Sequence, residues 1–301
     1  MEIISVLGSI AFVVFAGWMA RRFRILSTVD ALGLNSYVYY IALPALFFVE
    51  LAKLNLFQID ALIFIGTVAP ILLLLAILTI LYAFRVISKD NFVLLALAIV
   101  FGSNAFFGVT FFQAFRGQSG LDFAIVTASI LGPIGIILTI ALFELATGQA
   151  RGAAYFKKIF LNPLILSIIF GALFSLLGIN IKFLFKALEI IGKTAGPMAI
   201  FALGIFIFEN FSLATLRKSI PYALFRLIAL PAAAILVAYF LPVSQETHSL
   251  LVLQAGIPSA ISLAVFAQRY NYKISELTDI VILTSFGGFL VIGLAYFFST
   301  S

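Results

Sequence analysis

The residues best suited to do chemistry are small polar side chains inside two otherwise apolar stretches. Residues 101–108 read Phe-Gly-Ser-Asn-Ala-Phe-Phe-Gly, and residues 254–262 read Gln-Ala-Gly-Ile-Pro-Ser-Ala-Ile-Ser. Glycine and proline weaken a helix, and the amide of Asn104 both donates and accepts hydrogen bonds. Together with the partial positive charge of a helix N-terminus, these groups suit a bound carboxylate better than a bound cation.

A larger set of residues in and around these stretches could contact a substrate. We predict this set to be Gly102, Ser103, Asn104, Gln113, Ser129, Gln254, Pro258, Ser259 and Ser262, and we predict helix breaks at Gly102, Asn104, Gly108, Gly256 and Pro258. The alternative for any single glycine or proline is close helix packing or a simple kink. A membrane tolerates broken helices only where protein, water or ligand satisfies the freed backbone groups, and two such segments in corresponding positions favour a functional break.

Other chemistries find little support in the sequence. His248 is the only histidine and cysteine is absent, which excludes a histidine pair, a thiolate metal site and disulfides. Since no nucleophile elbow or glycine-rich nucleotide loop occurs, we predict neither an enzyme nor a cofactor. Lys193 is expected to reach the outer membrane interface, and Glu50, Glu144 and Arg226 are expected near span ends. The predicted spans contain no acidic pair in mid-membrane of the kind that serves as a proton relay or a cation site, which weakens the case for proton or sodium coupling.

The composition indicates which elements must position these residues. Of 301 residues, 64% are hydrophobic and 10% are charged, against about 25% charged in soluble domains. The excess runs along the whole chain, so an all-α polytopic membrane protein is predicted rather than one anchor on a soluble domain. A helix needs about 20 apolar residues to cross the bilayer. Such runs predict ten helices, at 3–20, 35–52, 61–84, 92–115, 122–146, 160–179, 183–208, 219–241, 247–267 and 277–298.

Basic residues test that count independently and predict the orientation. With the N-terminus outside, the cytoplasmic loops hold Arg21, Arg22, Arg24, Arg85, Lys89, Arg151, Lys157, Lys158, Arg217, Lys218, Arg269 and Lys273, whereas the opposite loops hold Lys53, Arg116, Lys182 and Lys186. Basic residues collect in cytoplasmic loops. The pattern therefore predicts a multi-pass protein of the plasma (inner) membrane with both termini extracytoplasmic and with the first apolar stretch retained as a span, not cleaved as a signal peptide.

The ten predicted spans divide into two sets of five. A shift of about 153 residues aligns Gly17 with Gly171 and Gly102 with Gly256, and brings Pro44 beside Pro197. Five spans are an odd number, so the second copy must enter the membrane from the opposite side. We therefore predict an inverted repeat, with a first half at 1–148, a cytoplasmic connector at 149–158 and a second half at 159–301. Secondary transporters are commonly built this way.

At the level of motifs, the chain resembles the auxin efflux carrier family, including its short bacterial members, nearly end to end. The motifs are Gly17 before a basic cluster, Asn-Ser-Tyr-Val-Tyr-Tyr-Ile-Ala-Leu-Pro-Ala-Leu-Phe-Phe from Asn35, Gly-Ser-Asn-Ala-Phe-Phe-Gly from Gly102, Asn-Pro-Leu-Ile-Leu from Asn162, Gly-Pro-Met-Ala-Ile-Phe-Ala-Leu-Gly from Gly196, and Gly-Ile-Pro-Ser-Ala from Gly256 with Gln-Arg-Tyr from Gln268. The chain departs from the family pattern in span four, because Gly108 is followed by Val109 and Thr110, where family members often carry a proline.

The resemblance implies more than the residues do. It implies that helices 4 and 9 cross in unwound segments, as in the related bile-acid symporters and NhaA-like proteins. Helices 1, 2, 6 and 7 would form a scaffold, and helices 3–5 and 8–10 would form a transport domain that moves like an elevator. The substrate would be a small organic anion contacted by Asn104, with Pro258 at the helix-9 crossover, and the protein would be a homodimer.

Three functional hypotheses remain open at this point. The first is a secondary transporter of an organic anion, a carboxylate or auxin-like acid, working as a uniporter in the efflux direction. The second is a sodium-coupled symporter of the bile-acid type. The third, from another class, is a polytopic receptor or scaffold.

Overall fold

A computed structural model gives the fold, and it describes residues 2–53, 60–148, 157, 160–210 and 213–300. Within these ranges the chain is helical, with no strand beyond a single isolated bridge. The predicted all-α class is confirmed to that extent. The predicted connector 149–158 lies outside the described residues, except for Lys157.

Fourteen α-helices are seen in the described residues. They are α1 Glu2–Arg22, α2 Thr28–Tyr37, α3 Leu43–Lys53, α4 Ala61–Ala83, α5 Lys89–Val100, α6 Val109–Thr147, α7 Pro163–Leu176, α8 Lys182–Lys193, α9 Ala195–Asn210, α10 Leu213–Leu224, α11 Leu230–Tyr239, α12 Gln245–Ala255, α13 Ser262–Tyr270 and α14 Ile274–Thr300. Within α6, Gly117 has a non-helical backbone with φ 60° and ψ −131°, so this element is two helices in succession.

Short π-helical turns join some of these helices end to end. They lie at Val38–Ala42, between α2 and α3, and at Phe225–Ala229, between α10 and α11. Each is followed within two residues by a proline, Pro44 or Pro231. Proline has no N–H to give to the carbonyl four residues earlier, and a wider turn is one way to accommodate that loss.

Five of the described helical stretches are long and apolar enough to cross a membrane. They are Val29–Lys53, Ala61–Ala83, Phe115–Thr147, Lys182–Ile205 and Ala214–Tyr239, and the shorter Pro163–Leu176 is also apolar. Each overlaps a span expected from the sequence. The full set of ten spans and their inverted arrangement stay predictions.

The described residues group into two compact units. The first comprises Met1–Gln58, Thr147–Thr215 and Ile261–Thr278, and the second comprises Ile59–Ala146, Leu216–Ala260 and Asp279–Ser301. The first unit thus holds α1 to α3, α7 to α9 and α13. The second holds α4, α5, α11, α12 and most of α6, α10 and α14.

Helices of the first unit approach each other at glycines. A Cβ on Gly17 of α1 would collide with the carbonyl oxygen of Phe201 in α9, and a Cβ on Gly204 of α9 would collide with the carbonyl of Val14. A Cβ on Gly171 of α7 would lie 2.7 Å from the carbonyl oxygen of Phe48 in α3. Small residues allow such close backbone approach between membrane helices, and these contacts fix both helix pairs.

In the second unit, α11 packs against α4 and α12, and α5 packs against the π-helical turn before α11. The last residues of α5, from Ala96 to Val100, and Phe101 just after them are almost wholly buried. This packing brings the end of α5, the end of α12 and residue 226 to one place, which is where the candidate site lies.

Candidate functional site

Two interrupted helices of the second unit meet at the candidate site. The first, α5, ends at Val100, Phe101 is extended (φ −128°, ψ 99°), and a π-helical turn follows at Asn104–Gly108. The second, α12, ends at Ala255. The segments after the two helices pair as a short antiparallel bridge: Ser103 N–H donates to the carbonyl of Pro258 over 2.9 Å, and Ala260 N–H donates to that of Phe101 over 2.8 Å. Each interruption therefore satisfies backbone groups of the other.

Side chains satisfy the carbonyls that the end of α5 leaves without helical partners. Ser259 Oγ donates to the Ala98 carbonyl over 3.0 Å, and Arg226 Nη1 donates to the Ile99 carbonyl over 2.5 Å. The backbone N–H of Ser259 donates in turn to Thr284 Oγ1 over 3.1 Å. The interruption of α5 is thus a stable, hydrogen-bonded structure and not a frayed helix end.

Arg226 extends the same arrangement to the second interruption. Its Nε and Nη2 donate to the Ile257 carbonyl over 3.1 Å and 2.7 Å. The residue is only 2% exposed and stands in the π-helical turn Phe225–Ala229. One guanidinium therefore joins the carbonyl side of both broken helices, where the partial charge is negative.

Two amide side chains from the two interruptions bind each other directly. Gln254 Nε2 donates to Asn104 Oδ1 over 2.6 Å, and Thr127 Oγ1 of α6 donates to Gln254 Oε1 over 3.3 Å. All three residues are at most 5% exposed. Asn104 and Gln254 therefore form a buried polar pair that joins the start of one half-helix to the end of another.

A narrow cavity lies beside this pair. Its lining includes Thr67, Pro70, Gly102, Asn104, Arg226 and Gln254. The space open to the centre of a water molecule is about 20 Å³, enough for one or two waters. A carboxylate would fit only if the cavity widened.

The other predicted contacts and helix breaks have four different outcomes. Ser103, Pro258 and Ser259 form the backbone bridge, while Gly256 caps α12 and Gly108 closes the π-helical turn beside Ile257. Ser129 donates to the carbonyl of Ile125 within its own helix, over 2.8 Å. Ser262 is buried as the first residue of α13, in the first unit. The side chain of Gln113 lies outside the described residues.

The expectation for Arg226 is wrong. It was expected near a span end, but it stands at the middle of the apolar stretch Ala214–Tyr239 and is buried. The available signal was the high cost of an arginine at the centre of a membrane helix, which marks such a residue as functional by default. Glu50 and Glu144 do lie near the ends of α3 and α6, and Lys193 forms an exposed ion pair of 2.8 Å with Glu189.

Comparison with known proteins gives this geometry a context. Residues 3–295 match the family described as membrane transport protein. The chain is similar to an uncharacterized transporter of Methanocaldococcus jannaschii, with 23% identity over 296 residues that cover 95% of both chains. It is likewise similar to an uncharacterized transporter of Methanothermobacter thermautotrophicus, with 23% identity over 284 residues and 92% of both chains.

The match spans nearly the whole chain and bears out the resemblance drawn from the motifs. The protein is a multi-pass transporter embedded in a lipid bilayer and not an enzyme. The chain belongs to the membrane transport protein family, the family of the auxin efflux carriers.

Proposed function

We propose that this transporter carries a small organic anion, a carboxylate or auxin-like acid, by elevator-type alternating access in the efflux direction. The observation that carries the proposal is the charge of the cavity beside the two helix interruptions. Among its described lining residues, Arg226 is the charged one, and the polar remainder is Thr67, Asn104 and Gln254. Since a cation site would need carboxylate or carbonyl oxygens directed at the ion, this lining favours an anion.

Contacts between helices support the inverted repeat on which alternating access depends. Gly17 and Gly171 occupy corresponding positions in the two halves. Gly17 of α1 contacts α9, which is predicted span seven, and Gly171 of α7 contacts α3, which belongs to predicted span two. Span one of the first half thus contacts span seven, the second helix of the other half. Span six, the first helix of the second half, contacts span two, the second helix of the first half. The two contacts are equivalent when the halves are exchanged, as an internal two-fold relation requires.

The division into compact units supports a scaffold and a separate transport domain. The first unit contains the helices of predicted spans one, two, six and seven, and the second contains those of spans three, four, five, eight and ten. Residues 261–278, which comprise the end of span nine, the loop after it and the first two residues of span ten, group with the first unit, whereas the resemblance implied the transport domain. The candidate site lies entirely within the second unit.

Direction and setting complete the proposal. In the plasma (inner) membrane, an interior-negative potential favours the exit of an anion. Both termini are extracytoplasmic, following the basic residues of the loops, and the family resemblance implies a homodimer. A receptor or scaffold is disfavoured, because the relatives named above are transporters.

Flux into proteoliposomes tests the function. The purified protein would be screened with monocarboxylates, dicarboxylates and indole acids, first in sodium and then in potassium. We expect saturable, potential-driven flux of at least one carboxylate that is equal in both salts. Strict sodium dependence would replace the uniporter with the symporter, and absence of flux for every acid in the panel would overturn anion transport.

A further inference from the structure

We infer that Arg226 is the built-in counter-ion for one carboxylate group of the substrate, so that the loaded transport domain is neutral at this site and the empty one carries a positive charge. The inference rests on the proposed function and deepens it. It assigns a charge-selecting residue and restricts the substrate to monoanions. It also places the voltage-dependent step in the return of the empty carrier.

The guanidinium of Arg226 has more hydrogen-bond donors than it uses. It has five N–H donors, and three of them bind the carbonyls of Ile99 and Ile257. One N–H on Nη1 and one on Nη2 are left over, and no hydrogen bond from either to a described residue is seen. Within that same part of the chain, no carboxylate lies at ion-pair distance from Arg226. Among the described residues, the positive charge is therefore held by carbonyl dipoles and not by a carboxylate.

The binding of backbone carbonyls does not by itself require a charged donor. The neighbouring carbonyl of Ala98 is satisfied by the neutral hydroxyl of Ser259. An arginine stays protonated in proteins, and burying an unpaired ion is expensive. Neutral donors could bind these carbonyls at a lower desolvation free energy, so the positive charge of Arg226 serves a purpose beyond binding them. The three hydrogen bonds fix the position of that charge.

The guanidinium of Arg226 faces the same space as the pair formed by Asn104 and Gln254. A Cβ built on Gly102 would lie 2.7 Å from Arg226 Nη2 and 2.9 Å from Asn104 Oδ1. Both side chains also line the narrow cavity. A carboxylate that entered by widening this space would meet the charge-assisted donors of Arg226 and the amide of Asn104 together.

The net charge of the site depends on what is bound to Arg226. A monoanion on Arg226 gives a site of zero net charge, which moves through the membrane field without electrical work. A dianion leaves one negative charge. The empty site carries one positive charge, so the interior-negative potential draws it back to the inward-facing position. With the resident arginine in place, no co-transported cation is needed.

The first experiment needs no substrate. Displacement currents would be recorded after voltage steps across membranes that contain the protein in substrate-free buffer. We expect a saturable charge movement in the wild type and in Arg226→Lys, and its loss in Arg226→Gln, which keeps a hydrogen-bond donor but no charge. Thermal unfolding would verify that each variant is folded, with Arg226→Met as a second neutral variant. Absence of the wild-type movement, or its persistence in both neutral variants, would overturn the inference.

The second experiment compares probes that differ in charge. Uptake would be measured with indole-3-acetate, its neutral isostere indole-3-acetamide, and succinate. We expect the wild type to favour indole-3-acetate over the amide, and Arg226→Gln to lose that preference by about ten- to hundredfold, the usual range for one hydrogen bond to a charged group. Preference for succinate, or unchanged discrimination in Arg226→Gln, would refute the inference while leaving anion transport standing. Failure of the wild type on every acid of the wider panel would instead refute the proposed function.

Discussion

The amide nitrogen of Gln254 lies 2.6 Å from Oδ1 of Asn104, and each residue belongs to a different interrupted helix. In this arrangement Gln254 donates and Asn104 accepts, and the cavity beside them holds no more than a water or two. The proposed carboxylate, itself an acceptor, would bind the Nδ2–H groups of Asn104, which border the same space as Oδ1, and the bond from Gln254 fixes which side of the amide faces each way. The bond is therefore a point at which binding can be altered by substitution.

Asn104→Ala should reduce carboxylate flux by about tenfold or more, because it removes a polar partner from the site and leaves Gln254 Nε2 without its acceptor. The measurement is uptake into proteoliposomes with matched protein content. Thr79→Ala is the control, since that exposed hydroxyl donates to the carbonyl of Leu75 in its own helix and its loss should leave uptake unchanged. Equal flux in the two variants would show that Asn104 does not contribute to substrate binding.

Gly102→Ala should abolish binding while the protein still folds. The added methyl would stand within 3 Å of both Arg226 Nη2 and Asn104 Oδ1, so both side chains must shift from the cavity. Uptake and thermal unfolding should be measured together. Gly33→Ala serves as the control, because nothing lies within 4 Å of a Cβ at that position. Normal uptake by Gly102→Ala would show that this space is not used.

Gly17→Ala should destabilise the first unit by about 1–3 kcal/mol, the usual cost of overpacking. The new methyl would meet the backbone carbonyl of Phe201, which cannot move away as a side chain can. Detergent-solubilised protein would be unfolded by heat and compared with Gly8→Ala in the same helix, where a Cβ meets nothing within 4 Å. A melting temperature equal to that of the control would mean that α1 and α9 do not depend on this contact.

The orientation can be tested with single cysteines, since the natural chain has none. Val86 lies in the exposed segment between α4 and α5, and Gln118 is exposed just after the break at Gly117. With the N-terminus outside, a membrane-impermeant maleimide added to whole cells should label Gln118→Cys and spare Val86→Cys until the membrane is opened. The reverse labelling would invert the topology.

Much of the helical layout was predictable, because apolar runs of bilayer length are a strong signal. Span 61–84 matches α4 Ala61–Ala83 almost residue for residue. Predicted span two, in contrast, contains the π-helical turn Val38–Ala42. Such a turn keeps the apolar periodicity nearly intact, so hydropathy does not reveal it, although Pro44 just after it is a signal of a local change in hydrogen bonding.

The site was predictable in part for a similar reason. Glycine, proline and asparagine are unfavourable within a helix, and this indicated a break at Gly102, Asn104 and Pro258. The bond between Asn104 and Gln254 depends on packing between segments far apart in the sequence, which no local pattern encodes. Arg226 was expected near a span end, whereas its distance from both ends of Ala214–Tyr239 places it in the middle of that helical stretch.

The short bridge between residues 101–103 and 258–260 makes the evolution of one stretch of the chain depend on that of a distant one. Each stretch supplies the hydrogen-bond partner that the other lacks, and away from water a lost partner is costly. A deletion or insertion in one stretch would shift the pairing by one residue and turn the bonded groups away from each other. Such a change is therefore harmful alone and tolerable only with a matching change in the other stretch, so the two should diversify together across related transporters.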